Sequence, residues 1–356
     1  MNTQQKDPSA MFDIAEQLYK QRKYEKASEI YLQLTSDKTF AAYAYYRLAD
    51  ISNRTQDPLT AKDLFYKAFS IKPDIYKGLL LKDHPNYSYV FRGRKKEPLQ
   101  EKCPLCGKRG EAYWCNTIME MSSAHVQEYN PVRVWMRCDD CNHLYAEEFP
   151  IQTAMISKKN DKELIDSDLV GMPTNPRFFP YYSEILSKLS QFSEGNELLE
   201  IGFGGCECML VAQEMAFSIF GIDISEGGVA QALRYGLKAE VHDFIKFETE
   251  KKWDILILGD VIEHVSDPVL AARKLYGLMK DNGVLWISTP NCEGAFSVFA
   301  GHDDAMRKEA AHKNYFSRFS LFKLMEMTGF VPVDYRISAH YNGSMEVIVV
   351  KDCYSR

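Results

Sequence analysis

The stretch "LLEIGFGGCEC", residues 198–208, joins an apolar strand to a glycine-rich turn and decides the fold of this chain. A lone acid, Glu200, stands inside the apolar run, and Gly202 and Gly204 follow it. A helix-like stretch begins at Cys208. Glycines let a backbone approach a ligand closely and adopt positive φ angles. The pattern therefore predicts a ligand-binding turn at the end of a buried strand, and the acid raises the question of which ligand it serves.

The length and composition of the chain narrow the class of protein. Its 356 residues predict two or three domains, and 46% hydrophobic with 26% charged residues is typical of globular proteins. The net charge of −6 gives no reason to expect nucleic acid as the main partner. No apolar run approaches the roughly 18 residues of a membrane span, and the N-terminal segment lacks the apolar core of a signal peptide. We therefore expect a cytoplasmic protein whose nine cysteines are thiols or metal ligands rather than disulfides.

The first segment, residues 1–85, shows a helical pattern that repeats. A shift of 34 residues superposes four pairs of positions: Ala15 with Ala49, Ala27 with Ala61, Ile30 with Leu64, and Tyr31 with Phe65. This period, with small residues at helix contacts and Pro73 after the second unit, resembles the tetratricopeptide repeat. The resemblance implies two units, a further helix near "DIYKGLLLKD", and a groove for a peptide or protein partner. A helical hairpin bundle without a partner is the alternative.

The second segment, residues 86–150, carries two C-x-x-C pairs, Cys103 with Cys106 and Cys138 with Cys141. Each pair can bend on a tight turn so that both thiolates face one ion, and two such turns close a tetrahedral zinc site. The spacer between the pairs is longer than in most zinc ribbons and contains Cys115, while His143 is a possible substitute ligand. We predict a structural zinc in a small zinc-ribbon-like module. Unmetallated thiols and a redox dithiol are the alternatives.

Strand-like and helix-like runs alternate in the third segment, residues 151–356, after a linker of about residues 151–175. Short runs rich in branched residues, such as "FSIFGIDIS" and "WDILILGD", are separated by helical patterns such as "PVLAARKLYGLMK". This alternation predicts a parallel sheet covered on both faces, and thus a doubly wound, Rossmann-like α/β fold. The runs "GFVPVDYRIS" and "SMEVIVVKD" predict an antiparallel pair at the end of the sheet.

The acid in the glycine-rich turn narrows the choice of ligand. In open parallel sheets, ligands bind at the carboxyl ends of the strands, where the strand order reverses. A phosphate site would require G-x-G-x-x-G or a P-loop lysine, and the turn has neither. A carboxylate at Glu200 repels pyrophosphate but accepts hydrogen bonds from an ammonium group. The predicted ligand therefore carries a positive charge and an amino-acid end.

These motifs together resemble those of class I S-adenosylmethionine-dependent methyltransferases. "EIGFGGC" is similar to their E-x-G-x-G-x-G pattern, with Cys206 in place of the last glycine. "GIDIS", "VHDF", "DILILGDVIEHVSDP" and "STPN" follow in the order of the family's next motifs. The resemblance implies S-adenosylmethionine as cofactor, with Asp223 at the ribose hydroxyls and Asp243 and Phe244 beside the adenine. The implied cofactor-binding residues are Glu200, Gly202, Gly204, Asp223, Ile224, Asp243, Phe244 and Asp260.

Methyl transfer expels a neutral leaving group, so the protein contributes alignment and, where the nucleophile carries a proton, a base. His264 and His312 titrate near neutrality and are the predicted bases, with Glu263 as a further catalytic candidate. Asp260, Glu263 and His264 form D-x-x-E-H, similar to the E-x-x-E-H of metal-assisted quinone-biosynthesis O-methyltransferases. That similarity implies a divalent ion that orients a hydroxylated substrate. Alternatively, Glu263 and His264 only cap the following helix.

A cysteine module beside a methyltransferase domain resembles enzymes of sugar and polysaccharide biosynthesis. The resemblance implies methyl transfer to a hydroxyl or carbon of a small-molecule or glycan acceptor. One alternative is a protein or peptide methyltransferase whose repeats deliver the polypeptide. Another is a scaffold whose methyltransferase-fold domain has lost its activity. Glu200, Gly202, Gly204 and Asp223 are all present, which argues against the scaffold.

Overall fold

The computed structural model describes residues 7–118, 129–148, 172–340 and 343–351. Most of the linker that the sequence predicts at about residues 151–175 lies outside these described residues. In the described part of the chain, no helix has the length and apolarity that crossing a bilayer requires.

Two helical hairpins form the N-terminal part of the chain. Helix α1 (Pro8–Lys20) pairs with α2 (Tyr24–Leu34), and α3 (Ala41–Arg54) pairs with α4 (Pro58–Ile71). Asp7 and Asp57 cap α1 and α4, each followed by a proline that suits the first helical turn. The superposed alanines of the repeat are all fully buried. The alanine positions that the 34-residue shift superposes are thus equally buried in the two hairpins.

The third helix expected near "DIYKGLLLKD" is absent from this stretch, and that prediction was wrong. Only a 3₁₀ turn, Ile75–Gly78, forms there. Ile75 and Tyr76 of this turn are buried against Phe69 and Tyr89 rather than forming another helical layer. The turn therefore closes the second hairpin instead of continuing a stack.

A four-stranded antiparallel sheet follows, with the strand order β1-β2-β3-β9. Its strands are β1 (Glu111–Thr117), β2 (Val132–Arg137), β3 (Leu144–Ala146) and β9 (Asn314–Tyr315). One face packs on α3 and α4 through a cluster that includes Cys115, Val132 and Val134. We call this four-stranded sheet the cysteine-bearing sheet, because Cys103, Cys106, Cys138 and Cys141 lie in the turns beside its strands. Its strand β9 comes from the third segment of the chain, so the sheet joins the second and third segments.

The third segment builds a seven-stranded sheet in the order β10-β11-β8-β7-β4-β5-β6. The five strands from β4 to β8 run parallel, whereas β11 is antiparallel to β8 and β10 to β11. This confirms the α/β, Rossmann-like fold and the antiparallel pair at its end. The strands are β4 (Glu197–Ile201), β5 (Ser218–Asp223), β6 (Ala239–Val241), β7 (Trp253–Gly259), β8 (Met279–Pro290), β10 (Phe330–Ile337) and β11 (Ser344–Lys351).

Helices cover both faces of this sheet, as near-continuous apolar strands require. The first face packs against α5 (Phe179–Leu189), α6 (Glu207–Glu214) and α7 (Glu226–Arg234). The second packs against α8 (Pro268–Leu278), α11 (Arg318–Met327) and the cysteine-bearing turns. Two short helices, α9 (Ala295–Ala300) and α10 (Ala305–Lys308), lie between β8 and β9. The strand order reverses at β4, which places the glycine-rich turn at the switch point.

Candidate active site

The glycine-rich turn after β4 needs its unusual residues for conformational reasons. Gly202 and Gly204 have positive φ angles of 73° and 49°. A Cβ atom on Gly202 would also lie 2.6 Å from Cγ2 of Val261, a side chain of the turn after β7. Cys206 has a φ of 69° at the position where the family's pattern has its last glycine, so it takes up the left-handed conformation at the start of α6. The turn therefore keeps its backbone open at the strand ends, as a close ligand requires.

Glu200 is a buried acid at the end of β4. It is only 5% exposed, and burial raises its pKa to about 8. The Cys208 thiol donates a hydrogen bond to this carboxyl group. Among the described residues, its Oε2 atom has no hydrogen-bond partner. An ionised carboxylate with an unsatisfied buried oxygen is costly unless a ligand group satisfies it.

Asp223, at the end of β5, faces the same turn. Its Oδ1 accepts the N–H of Ser225 at 2.8 Å, and its Oδ2 accepts the N–H of Gly204 at 3.4 Å. These bonds hold the carboxylate between the two loops that close the switch point. Ile224 follows on the solvent side, 38% exposed. The structure thus brings Asp223 and Gly204 together, as the sequence motifs predict.

A cavity of about 490 Å³ lies at the carboxyl ends of β5, β6 and β7. Its walls include Ile224, Asp243, Phe244, His264 and Lys313. Asp243 Oδ1 accepts the N–H of Ile245 at 3.0 Å, which fixes the 3₁₀ turn Phe244–Lys246 beside the cavity. Phe244 is buried in the core. The predicted adenine-flanking residues and the first predicted base therefore line one cavity.

This arrangement fits S-adenosylmethionine. The cavity presents apolar walls and the Asp243 carboxylate where the adenine is expected, and its lining residue Ile224 directly follows Asp223, which the resemblance puts at the ribose. The unpartnered Glu200 oxygen lies at the glycine-rich turn, where the resemblance puts the methionine end and its ammonium group. The cofactor, when bound, supplies an electrophilic methyl group on a sulfonium.

The turn after β7 holds the other candidate acids. Asp260 has a φ of 51°, and its carboxylate accepts the hydroxyl of Ser288 at 3.2 Å. Burial raises the pKa of Asp260 to about 6. Glu263 is 1% exposed and accepts the Thr289 hydroxyl at 3.0 Å, and burial raises its pKa well above the usual range. Both acids are thus tied to β8, so neither serves as a helix cap.

His264 and His312 meet although one follows β7 and the other lies between β8 and β9. Their ring centroids are 4.9 Å apart in an edge-to-face arrangement. His264 Nδ1 bonds to the carbonyl of Ala311 at 3.1 Å, and His312 Nδ1 bonds to the carbonyl of Met306 at 3.0 Å. A carbonyl can only accept, so each ring carries its proton on Nδ1 and has a lone pair on Nε2. Burial lowers the pKa of both rings, which keeps them neutral near pH 7.

The capping role considered for Glu263 and His264 does not fit. The helix that follows, α8, is capped by Asp267, whose side chain accepts the N–H of Leu270 at 2.8 Å. Glu263, His264 and His312 instead offer three ligand atoms within 4.8 Å of one another, a set that suits a divalent ion. Asp260, the first acid of the D-x-x-E-H motif, is not part of that set because it turns to Ser288.

The four predicted zinc ligands converge. The Sγ atoms of Cys103 and Cys141 are 3.5 Å apart, those of Cys106 and Cys138 are 3.4 Å apart, and those of Cys106 and Cys141 are 3.8 Å apart. All four lie within 4.8 Å of one another. Zinc–sulfur bonds of about 2.3 Å in a tetrahedron put sulfurs about 3.8 Å apart. The cysteine cluster therefore has the dimensions of a four-thiolate zinc site.

Backbone geometry around the cluster supports the same chemistry. The residue after each pair has a positive φ, 72° at Gly107 and 51° at Asn142. Backbone N–H groups donate to the sulfurs of Cys103, Cys138 and Cys141, as they do in thiolate knuckles. Hydrogen bonding from the Cys103 thiol lowers the pKa of Cys141 to about 5. The same contact raises the pKa of Cys103, and burial raises the pKa of Cys138, so only Cys141 of these three is favoured as a thiolate.

The two other residues weighed as ligands are placed elsewhere. Cys115 is buried in β1, where its N–H donates to Asn53 Oδ1 at 2.8 Å. His143 turns its Nε2 to Asn314 Oδ1 at 3.0 Å, and burial lowers its pKa to about 4. His143 is thus outside the group of four thiols that lie within 4.8 Å of one another.

Two cavity residues had no sequence signal. Lys313 lies in the segment between β8 and α11, is 8% exposed, and donates from Nζ to Ser266 Oγ at 2.8 Å. Burial lowers its pKa to about 8. Ser266 follows the D-x-x-E-H stretch and also lines the cavity. Nothing in the local pattern distinguishes either residue from a surface position, and only the folding of the segment onto the cavity places them there.

The chain is similar to several known proteins. A ubiquinone biosynthesis O-methyltransferase of Caulobacter vibrioides is 29% identical over 106 residues, covering 28% of this chain and 42% of that protein. One of Bordetella avium is 26% identical, covering 34% and 54% respectively. The chain therefore spans about half the length of the curated relatives it matches. Magnesium protoporphyrin IX methyltransferase of Synechocystis PCC 6803 aligns at a TM-score of 0.41 and 16% identity, covering 49% of this chain and 83% of that one.

Residues 177–335 match a family model described as a methyltransferase domain. That range holds the glycine-rich turn, the cavity and the histidine pair. The third segment of the chain is therefore a methyltransferase domain. More specifically, it is a class I S-adenosylmethionine-dependent methyltransferase domain, with its seven-stranded sheet and its cofactor motifs in the expected order.

Proposed function

We propose that this chain transfers the methyl group of S-adenosylmethionine to a hydroxyl group of a small-molecule or glycan acceptor. The observation that carries this proposal is His264, which lines the cofactor cavity and has its Nδ1 proton committed to the carbonyl of Ala311. Its Nε2 lone pair is then free to accept a proton. The O-methyltransferases among the relatives support a hydroxyl over a carbon acceptor.

The chemistry assigns one task to each part of the site. Glu200 and Asp223 would hold the charged and hydroxyl groups of the cofactor and fix its orientation. The cofactor, when bound, would supply the methyl group and leave as the neutral thioether, and His264 would accept the proton of the acceptor hydroxyl. His312, stacked edge-on against His264, restricts the orientation of that ring. Burial keeps both rings neutral, which leaves a base available near pH 7.

The test is formation of S-adenosylhomocysteine with a panel of acceptors that includes catechols, sugar nucleotides and peptides. Turnover with hydroxylated small molecules would support the proposal. Turnover with peptides alone would favour the protein methyltransferase. Cofactor binding without turnover on any hydroxylated acceptor would contradict it, and an absence of cofactor binding would favour the inactive scaffold.

We also propose that the cysteine cluster holds one structural zinc ion. Support comes from sulfur–sulfur distances of 3.4–3.8 Å and from the paired left-handed turns at Gly107 and Asn142. The cluster packs against apolar residues of the methyltransferase sheet and α11, so the ion would stabilise the contact between the two sheets. Four thiolates leave no open coordination position, which makes a catalytic role for this zinc unsuitable.

The helical hairpins are proposed to bind a polypeptide partner. The cavity wall contains no residue of α1–α4, so these helices are available for another task. Ile14 and Leu32 on the first hairpin are exposed at 51% and 60%. Such apolar side chains suit a peptide contact better than a solvent face. This role would be tested by comparing the polypeptides that co-purify with the wild-type chain and with a variant that carries both Ile14→Ser and Leu32→Ser.

A further inference from the structure

The turn that carries His312 is held from the cysteine-bearing sheet. Arg133 of β2 is 5% exposed, and its guanidinium donates to three backbone carbonyls of this turn. Nη2 donates to Ala310 at 2.6 Å, Nη1 donates to His312, and Nη1 also reaches Glu309 at 3.4 Å. Burying a guanidinium is costly, so three carbonyl acceptors in one turn indicate a specific clamp.

Consecutive carbonyls of the turn point to different partners. Those of Ala310 and His312 go to Arg133, whereas that of Ala311 goes to Nδ1 of His264. Rotating the turn would therefore break the Arg133 bonds and the His264 bond together. The hydrogen bonds of Arg133 therefore fix the position of the Ala311 carbonyl. That carbonyl in turn determines which nitrogen of His264 carries the proton.

A second set of bonds runs parallel to this clamp. The Ala146 N–H donates to the carbonyl of Lys313, and the Lys313 N–H donates to the carbonyl of Glu263, both at 2.9 Å. Asn314 Nδ2 donates to the carbonyl of Val265 at 2.7 Å while its Oδ1 bonds to His143. Lys313 and Asn314 thus lie between the cysteine-bearing sheet and the turn after β7 that carries Glu263 and His264, and they are hydrogen-bonded to both.

We propose that Arg133 is a positioning residue for His264, the proposed base. Through Arg133 and the turn 309–312, the cysteine-bearing sheet fixes the tautomer of the His264 ring. This inference rests on the proposed function, because it assigns His264 as the proton acceptor. Arg133 touches neither cofactor nor acceptor. Its guanidinium holds the Ala311 carbonyl in place, the carbonyl keeps the proton on Nδ1, and Nε2 remains available to the acceptor.

The test compares Arg133→Met with Arg133→Lys and with the matched control Arg137→Met. Arg137 lies on the same strand, but it donates to Asn142 at 2.7 Å rather than to the turn. We expect Arg133→Met to lower kcat at least tenfold while the KM for the cofactor stays within twofold. Arg133→Lys should recover part of kcat, and Arg137→Met should change it less than twofold.

A direct readout accompanies the kinetics. Long-range ¹H–¹⁵N spectra of the full chain labelled with ¹⁵N-histidine report the ring tautomer, and His264→Gln assigns the signal. The wild type and Arg137→Met should show the Nδ1–H form, and Arg133→Met should show a mixture with the Nε2–H form. If Arg133→Met does not fold, Arg133→Lys carries the comparison, and a partial tautomer shift is expected.

Two results would overturn the proposal: an unchanged tautomer in the folded Arg133 variants, or equal losses of kcat in Arg133→Met and Arg137→Met. One outcome separates the positioning role from the proposed function. The wild type would methylate no acceptor but show only the Nδ1–H form of His264, and Arg133→Met would show a mixture of the two forms. In that case the positioning role stands, and the proposed function fails.

Discussion

The rings of His264 and His312 lie with their centroids 4.9 Å apart, although one follows β7 and the other precedes β9. Each ring donates from Nδ1 to a carbonyl oxygen in the stretch between β8 and β9. His264 bonds to the carbonyl of Ala311, and His312 bonds to that of Met306. This stretch thereby orients both rings at once. The orientation of both rings therefore depends on the stretch between β8 and β9 as much as on the turn after β7.

Removal of the ring at His264 should abolish most of the turnover. We expect His264→Gln to lower kcat by about 10²–10⁴-fold, because a positioned general base contributes on that order. Steady-state kinetics with a hydroxylated acceptor measures the change, and the cofactor dissociation constant should stay near the wild-type value. His302→Gln is the control, since His302 lies in the same stretch between β8 and β9 but stacks on Trp114 of β1. Comparable losses in both variants would remove His264 from the catalytic role.

Cofactor affinity should depend on pH through Glu200. Burial raises the pKa of this acid to about 8, so much of the free protein carries a protonated carboxyl group at pH 7. The cationic cofactor favours the ionised form, so affinity should rise between about pH 6 and 8 and level off above pH 8, by up to about tenfold per pH unit. Calorimetry across this range, with Glu200→Gln as the variant that loses the dependence, measures it. An equally steep profile in the variant would assign the effect to another group.

The same group affects the stability of the cofactor-free protein in the opposite direction. Its folded pKa of about 8 lies above the ordinary glutamate value, so the folded chain holds the proton more tightly than the unfolded chain. This contribution is fully present below the unfolded pKa and is lost as pH rises through about 8. Chemical denaturation of the wild type and Glu200→Gln over this range should show a smaller loss of unfolding free energy in the variant.

Asp223 should contribute to the cofactor site through charge-assisted hydrogen bonds. We expect Asp223→Ala to weaken binding of S-adenosylmethionine by about 1–3 kcal/mol. Because Asp223 also accepts the N–H groups of Gly204 and Ser225, some of this loss will come from a looser turn. Isothermal titration measures it, and Glu240→Ala on the neighbouring β6 is the control because that acid is exposed. Unchanged affinity in Asp223→Ala would place the ribose elsewhere.

The cysteine cluster should contain about one zinc per chain. Metal analysis of protein purified without chelators measures it, and Cys138→Ser combined with Cys141→Ser should abolish it. Cys115→Ser is the matched control, since that thiol lies in β1 at the helical interface rather than in the cluster. Zinc retained by the double variant, or zinc lost from the control, would require another ligand set.

Deletion of the N-terminal helices should destabilise the rest of the chain, which the sequence motifs do not indicate. From the motifs alone, a chain beginning near residue 98 should fold and bind the cofactor. In the structure, α3 and α4 cover the face of the sheet that includes Cys115, Val132 and Val134. We expect this truncation to lower the thermal midpoint by about 2–4 °C for each kcal/mol of lost burial, and to promote aggregation. A truncated chain as stable as the full chain would contradict this view.

Much of the cofactor site follows from local sequence. The glycine-rich turn, the acids at the ends of β4 and β5, and the two C-x-x-C pairs are short patterns whose chemistry depends on neighbours a few residues away. The alternation of apolar strands with helices also specifies the parallel sheet, because buried strands and amphipathic helices have different periods. The helical character of the first segment follows for the same reason, since Ala15 and Ala49 are both fully buried residues of amphipathic helices.

The rest depended on tertiary structure. No pattern connects Arg133 to the turn before β9, or Lys313 to the cofactor cavity, because these contacts join segments far apart in the chain. The third helix predicted near residue 75 also failed, since Ile75 and Tyr76 gain more by packing on the second hairpin than by propagating a helix. Local periodicity records which face of an element is apolar, whereas the choice of partner is made by long-range packing. The sequence by itself therefore determined the fold class and the cofactor motifs, and only the tertiary structure decided that Arg133 of the cysteine-bearing sheet bonds to the turn that holds His264.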